Sequence, residues 1–253
     1  MKSLFFIAVA GLTATSAVAA PLKSAVVTAV VNDVKLSEKS RSARAIGTGQ
    51  KMGGSSTLLT GRASRAAMTF PDKTVTRVGA NSVFSFSSGS RNMEIKQGSF
   101  LLQVPKGAGG ATIRTATITA GITGTTTMME YSPGQFMKFI CLEGTARLTN
   151  TAGDTTDVAA GQMIVMHPNA ARFPRPMIVN VKKMMKTSAL ADKKDFGELD
   201  ADAQEAIDET VTQQTQAKRE GELLPAGLLG RGGAPQELEN SERSVLGEAF
   251  RSN

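Results

Sequence analysis

One histidine and one cysteine set a ceiling on the chemistry that this 253-residue chain can perform. His167 stands directly before Pro168, and a Ser/His/Asp-type hydrolase needs an acid to orient its imidazole. No spacing in the sequence pairs His167 with such an acid. Zinc sites draw three or four ligands from Cys, His and carboxylates, so no metal residue is expected. Cys141 has no second cysteine to bridge to, and within FMKFICL it reads as a small buried hydrophobe rather than a reactive thiol. A glycosidase would need two facing carboxylates. The acids before the C-terminal third are Asp33, Glu38, Asp72, Glu94, Glu130, Glu143, Asp154 and Asp157. Asp72, Glu143 and Asp154 fall at expected turns, where backbone geometry accounts for them. Glu94 alternates with Asn92 and Lys96 on a solvent face. Glu130, beside Tyr131, stands out, but one acid does not make an acid/base pair. The glycine-rich stretches GTGQKMGGSS and GAGGA lack the Lys-Ser/Thr pair or the βαβ setting of a phosphate loop. Catalytic residues and cofactors are therefore not expected; a hydrolase built on Glu130 or His167 is the rival reading.

The basic residues carry more information. The chain has a formal charge of +7, but residues 22–187 hold 21 Lys+Arg against 8 Asp+Glu, while residues 188–253 hold 7 against 14. A basic body with an acidic tail implies anionic contacts. Arg41, Arg44, Lys51, Arg62 and Arg65 form one group along the sequence. Arg172, Arg175, Lys182, Lys183 and Lys186 form another. These read as solvated surface, as a seat for the chain's own acidic tail, or as a site for a foreign anion such as lipopolysaccharide, an acidic glycan or an acidic protein. Nucleic acid is not expected, because the extracytoplasmic compartment implied by the N-terminal residues and the scarcity of stacking residues, with no Trp and one Tyr, count against it.

The elements that must position these residues begin after a processing signal. Lys2, the apolar run Leu4–Leu12 and Ala17-Val18-Ala19 fit a signal peptide over residues 1–19, cleaved after Ala19. An uncleaved anchor is the rival, although Leu4–Ala20 is at the short end of the roughly 17–25 residues that span a bilayer. No later segment is that long and apolar. A periplasmic or secreted location follows, with no transmembrane segment after cleavage.

From Ser24 onward, short stretches alternate apolar and polar residues. Ala66, Met68 and Phe70 share a face, as do Phe84 and Phe86, Met93 and Ile95, and Phe100, Leu102 and Val104. Breaks every eight to twelve residues mark an all-β fold of many short strands, an antiparallel-type sandwich or roll. SEKSRSARAIGTGQKMGGSS reads as a loop or irregular crossing, and FMKFICL turns through Glu143-Gly144 into TARL as a hairpin. The β domain is placed at residues 24–186, with IVNVKKMMK as a last strand or an extended link. Residues 187–253 form an acidic tail, partly helical or disordered. Helical spacing of Leu199, Ala203, Ala206 and Val211 or Thr210 predicts a helix within 195–219, and a second is predicted over 235–250. The narrow apolar stripe makes the first marginal on its own.

Taken in order, LLTGRASRAAMTFPDKTVTRVGANSVFSF, MEIKQGSFLLQV, IRTATITAGITGTTTMMEY, FICLEGTARL and VAAGQMIVM resemble the FecR domain family over residues 46–166. The resemblance implies an extracytoplasmic β domain, whose known members relay an envelope signal to a sigma factor through a cytoplasmic segment and a transmembrane helix. This chain resembles a stand-alone, secreted version without the cytoplasmic part, so direct sigma contact is not expected to transfer. Lys73 follows Asp72 where the family carries glycine. Lysine tolerates a positive φ poorly, which predicts a different turn type there. The combined expectation is a non-catalytic envelope scaffold or protein-interaction module, signal sensing included, with binding of anionic envelope polymers as the alternative.

Overall fold

The computed structural model describes residues 21–38, 42–54 and 56–220. The expected signal peptide, Arg41 and the helix expected over 235–250 lie outside them. Along the chain run β1 (Ser24–Val31), β2 (Val34–Ser37), β3 (Arg44–Ala45), β4 (Lys51–Gly53), β5 (Thr57–Thr60), β6 (Arg65–Thr69), β7 (Val75–Val78), β8 (Val83–Phe86) and β9 (Asn92–Gln103). There follow β10 (Ala111–Arg114), β11 (Ile118–Ile122), β12 (Thr126–Ser132), β13 (Phe136–Glu143), β14 (Thr145–Asn150), β15 (Thr155–Ala159), β16 (Gln162–Met166) and β17 (Met177–Ile178). The helices α1 (Val181–Thr187), α2 (Lys193–Phe196) and α3 (Ala201–Arg219) come last, with a 3-10 turn at Ala189–Ala191 between the first two.

The strands form two facing sheets that share one long strand. The first runs β4-β1-β6-β7-β9-β12-β13-β16-β17 and the second β3-β2-β5-β8-β9-β10-β11-β14-β15. Strand β9 belongs to both: residues 93–97 pair with β8, and residues 98–103 pair with β12. The bend is at Gly98, with φ +97°, where a Cβ would lie 2.0 Å from the Ser82 Oγ. The inward-facing positions change from odd (Met93, Ile95) to even (Phe100, Leu102) across this bend, because the strand leaves one layer for the opposite one. After that excursion the chain returns beside its own first half, so β9 and β10 are the one parallel pair among the described strands. The all-β sandwich expected from alternation is what forms, its core built from Met68, Phe70, Phe84, Phe86, Phe100, Phe139 and their neighbours. Phe70 and Phe86 meet edge to face at 5.0 Å.

Four local expectations are corrected. Glu143-Gly144 does not close a hairpin: β13 pairs with β12 and β16 in one sheet, and β14 with β11 and β15 in the other. Gly144, at φ +75°, is a corner between layers, where a Cβ would stand 3.0 Å from the Gly124 carbonyl oxygen. The crossing that looked irregular supplies β3 and β4, and buries Ile46 and Met52. Lys73 does adopt positive φ, at 65°. Its turn is held by hydrogen bonds from Lys73 N to Phe70 O and from Phe70 N to Thr74 O. Asp72 accepts from both the backbone N and the Oγ1 of Thr74 and pairs with Arg91 at 2.6 Å. Those bonds over-determine the turn and impose a left-handed residue that costs roughly 1–2 kcal/mol. Finally, IVNVKKMMK is mostly helix: after β17, Asn180 caps α1 by accepting from Lys183 N at 2.9 Å.

Candidate functional site

The outer faces of the two sheets differ. On the sheet of β8 and β15 the outward residues are mostly charged or small and polar, the paired Leu59 and Val83 excepted, and charges neutralise locally: Arg147 holds Asp157 by two bonds of 2.8 Å, and Lys35 meets Asp33 at 3.2 Å. The Arg147 guanidinium keeps the Asp157 carboxyl below the usual carboxylate range, chiefly by hydrogen bonding. On the other sheet the outer face is covered. Paired positions across β6, β7, β9, β12, β13 and β16 set Ala67, Arg77, Leu101, Met128, Ile140 and Met163 in one row. Residues 179–220 fold back over it, burying Val181, Met184, Leu190, Leu199 and Ile207 against Leu101, Met128, Ile140, Leu142 and Met163. The helix expected within 195–219 is present as α3, but it is a packed cover rather than a marginal appendage. Its buried stripe is Ala203, Ile207 and Thr210.

Arg77 sits in the middle of this row and is 2% exposed. Its strand neighbours Thr76 and Val78 are also buried, so alternation sends Arg77 to the opposite face. Its Nη1 donates to the Leu190 carbonyl at 3.0 Å, and its Nη2 to those of Gly197 at 3.2 Å and Glu198 at 3.1 Å. The guanidinium lies 5.2 Å from the centre of the Phe196 ring. The three acceptors are carbonyls within the 3-10 turn and just past α2, where helix dipoles place negative charge. Burial lowers the Arg77 pKa to about 10, and its Nε finds no acceptor among the described residues.

Other polar contacts hold the cover down. Arg65 pairs with Asp195 through both Nε and a terminal nitrogen. The Gln103 side chain accepts from Asp200 N at 3.4 Å, at the start of α3. Gln214 ties α3 to the sheet exit, donating to the Val179 carbonyl at 2.8 Å and accepting from Val181 N at 3.2 Å.

The residues singled out by sequence land as follows. Arg44 in β3 is 3.8 Å from the Glu38 carboxylate. Lys51 in β4 and Arg62 after β5 are exposed, as are Arg172 and Arg175 in the segment between β16 and β17. Lys182, Lys183 and Lys186 line the exposed side of α1, opposite buried Val181 and Met184. Of all these, Arg65 alone reaches the covered face, and its partner is the acidic tail. Glu130 pairs with Lys138 at 2.5 Å. His167 has both ring nitrogens near backbone groups: Nε2 is 3.2 Å from the Gly134 carbonyl, and Nδ1 accepts from Asn169 N at 3.2 Å. Cys141 is fully buried, and burial pushes its thiol up to about 12. Arg77 escaped sequence reading; its signal was a cation in TVTRV at a position facing away from the core.

The FecR protein family matches residues 56–147, from just before β5 into β14. No curated protein matches the chain. Two crystal structures of a candidate anti-sigma factor from Parabacteroides distasonis, at 1.65 and 2.50 Å resolution, are similar to it at 14% identity and a TM-score of 0.45. Each covers 52% of this chain, which in turn spans 65% and 64% of their lengths. Among the described residues no helix is long and apolar enough to cross a membrane. The family match suggests a regulatory or signal-sensing domain. Over residues 56–147 the chain is similar to the FecR protein family.

Proposed function

We propose that this chain is a non-catalytic cell-envelope module, periplasmic or secreted, whose FecR domain works by holding protein partners and takes part in signal sensing. The observation that carries this reading is the use of its charged side chains. Glu130, Arg65, Asp72 and Arg91 are spent on ion pairs that join strands, turns and cover. What the fold offers a ligand is therefore surface. The match to the FecR family supports a regulatory setting, in which contact with another protein is the output.

Cross-linking of the full chain in intact envelopes, read by mass spectrometry, tests this. A recurrent set of partner peptides joined to the β-domain surface is expected. Efficient turnover of an envelope substrate, abolished by Glu130→Gln or His167→Ala in folded protein, would overturn it.

A second reading rests on the lysines of α1. Lys182, Lys183 and Lys186 share one exposed helix side, close in sequence to exposed Arg172 and Arg175 and to Met177, which is 47% exposed. Such a surface would take an anionic envelope polymer. Binding to lipopolysaccharide at low salt, lost in about 0.5 M salt as screening shortens to a few ångströms and lost in the triple Lys→Glu variant, supports it. No binding at low salt excludes it. Deleting residues 188–253 is not a clean test, because Leu190, Leu199 and Ile207 are part of the cover.

A further inference from the structure

We propose that residues 177–220 form an exchangeable arm, and that the sheet face beneath it docks the same arm of a second copy of this chain. The inference rests on the interaction-module reading and names its interface.

Three observations carry it. The covered face is not built for permanent burial. Arg77, the Lys138–Glu130 pair and Gln103 punctuate Leu101, Met128, Ile140 and Met163. A buried ion pair such as Lys138–Glu130 is often matched or outdone by apolar residues of similar volume, whereas Arg and Met are enriched at protein interfaces. These polar groups keep the face hydrated and soluble when the arm is off.

The arm is joined by a hinge with preset geometry. Upstream, the connection is anchored by bonds from Asn150 Nδ2 to the carbonyls of Ala170 and Ala171, at 3.2 and 3.0 Å, and from Phe173 N to Asp154 Oδ2 at 2.7 Å. Then comes Pro174-Arg175-Pro176, outside any strand or helix. Phe173 and Arg175 each precede a proline, which biases both toward extended backbone. The hinge thus projects the arm rather than letting it coil.

The third observation names the occupant. The sequence whose fit to this face is demonstrated is the arm itself, with Asp195 on Arg65 and the carbonyls of Leu190, Gly197 and Glu198 on Arg77. Residues 192–209 of the arm hold eight Asp+Glu against two Lys+Arg, and they complement the basic body in trans as they do in cis. Reciprocal exchange gives a closed two-fold dimer that keeps every such contact and changes only the hinge.

Charge reversal tests it. Arg65→Asp and Asp195→Arg each place like charges face to face within one chain. In an exchanged pair made from the two variants, the introduced aspartate meets the introduced arginine, and native Arg65 meets native Asp195. Mixing them and reading native mass spectra should give a heterodimer at least tenfold above the dimer of either variant alone. The double variant in one chain should return to monomer. Mixed variants that stay monomeric would overturn the exchange. Should either single variant fold poorly, deletion of Arg175 and Pro176 from the native chain replaces it. A hinge too short for the cis route should raise the dimer fraction tenfold, and an unchanged monomer counts against the proposal. Failure here removes the exchange and leaves the interaction-module reading to its cross-linking test.

Discussion

Replacing Arg77 with alanine should open the helical cover while leaving the sandwich folded. The guanidinium makes three charged hydrogen bonds to carbonyls of residues 190, 197 and 198 and lies against Phe196. Hydrogen bonds to charged groups contribute about 1.5–3 kcal/mol each. The buried ion itself costs several kcal/mol in lost hydration, so the net is much less than the sum. After truncation, Gly197 and Glu198 are exposed enough for water to reach their carbonyls, whereas Leu190 is buried. One carbonyl is orphaned, the packing over Phe196 is lost, and the charge penalty is relieved. The balance is about 2–3 kcal/mol against closure. At 1.36 kcal/mol per decade, that is a roughly 30- to 150-fold rise in the open population.

Hydrogen exchange read by peptide resolves where this is felt. Amides of α1, α2 and α3 should lose protection by that factor, while those of β9, β12 and β13 keep theirs, as expected when local units open with their own free energies. Arg77→Lys keeps the charge but loses the fork, so it should fall between the two. Equal loss of protection over strands and helices would refute the reasoning, because the cover would then be part of one cooperative unit with the sandwich. Unchanged protection would show that the carbonyl bonds contribute nothing net.

Three further outcomes follow from the geometry. Lys73→Gly relieves a φ of +65° and should stabilise the chain by about 0.5–1 kcal/mol, part of the relief being offset by the freer unfolded chain; this reads as a Tm rise of about 1–4 °C. Gly98→Ala puts a Cβ 2.0 Å from the Ser82 Oγ at a φ of +97°, so β9 cannot pass between layers without moving β8, and a loss of at least about 3 kcal/mol should appear as a lower midpoint in denaturant. Cys141, its pKa raised by burial to about 12 from 9.0, should resist thiol reagents at pH 8 until the chain unfolds. Because the folded state holds this proton more tightly, stability falls as pH rises through 9 toward 12, and Cys141→Ala should remove that slope.

The sandwich was legible because its inner faces obey a two-residue period: Ala66, Met68 and Phe70, or Phe84 and Phe86, can face one way only. What the period hides is the phase. Gly144 reads as a hairpin turn, yet it and Gly98 are both corners where the chain changes layer. A hairpin and a corner need the same positive φ, so composition does not separate them; long-range pairing does. Lys73 shows the opposite limit, where the hydrogen bonds of Asp72 decide a turn against the preference of the residue in it.

The covered face was harder to read, although its signal lay in the same strands. FLL in β9, MM in β12, FICL in β13 and MIVM in β16 are runs, not alternations, and a strand apolar at successive positions is buried on both sides. Four such strands lie side by side in this sheet, so something must lie on its outer face. The tail was the nearest material, but its own stripe was too narrow to announce a partner. Ile207 and Leu190 carry little area alone and matter because the sheet is already apolar beneath them. Charge completes the inference. The acids at 195–209 are surplus to a helix that merely dissolves, and one of them, Asp195, finds Arg65 on a strand 130 residues earlier. In that pair the basic body and the acidic tail meet, and Arg77 extends the contact from the same sheet through the carbonyls of Leu190, Gly197 and Glu198.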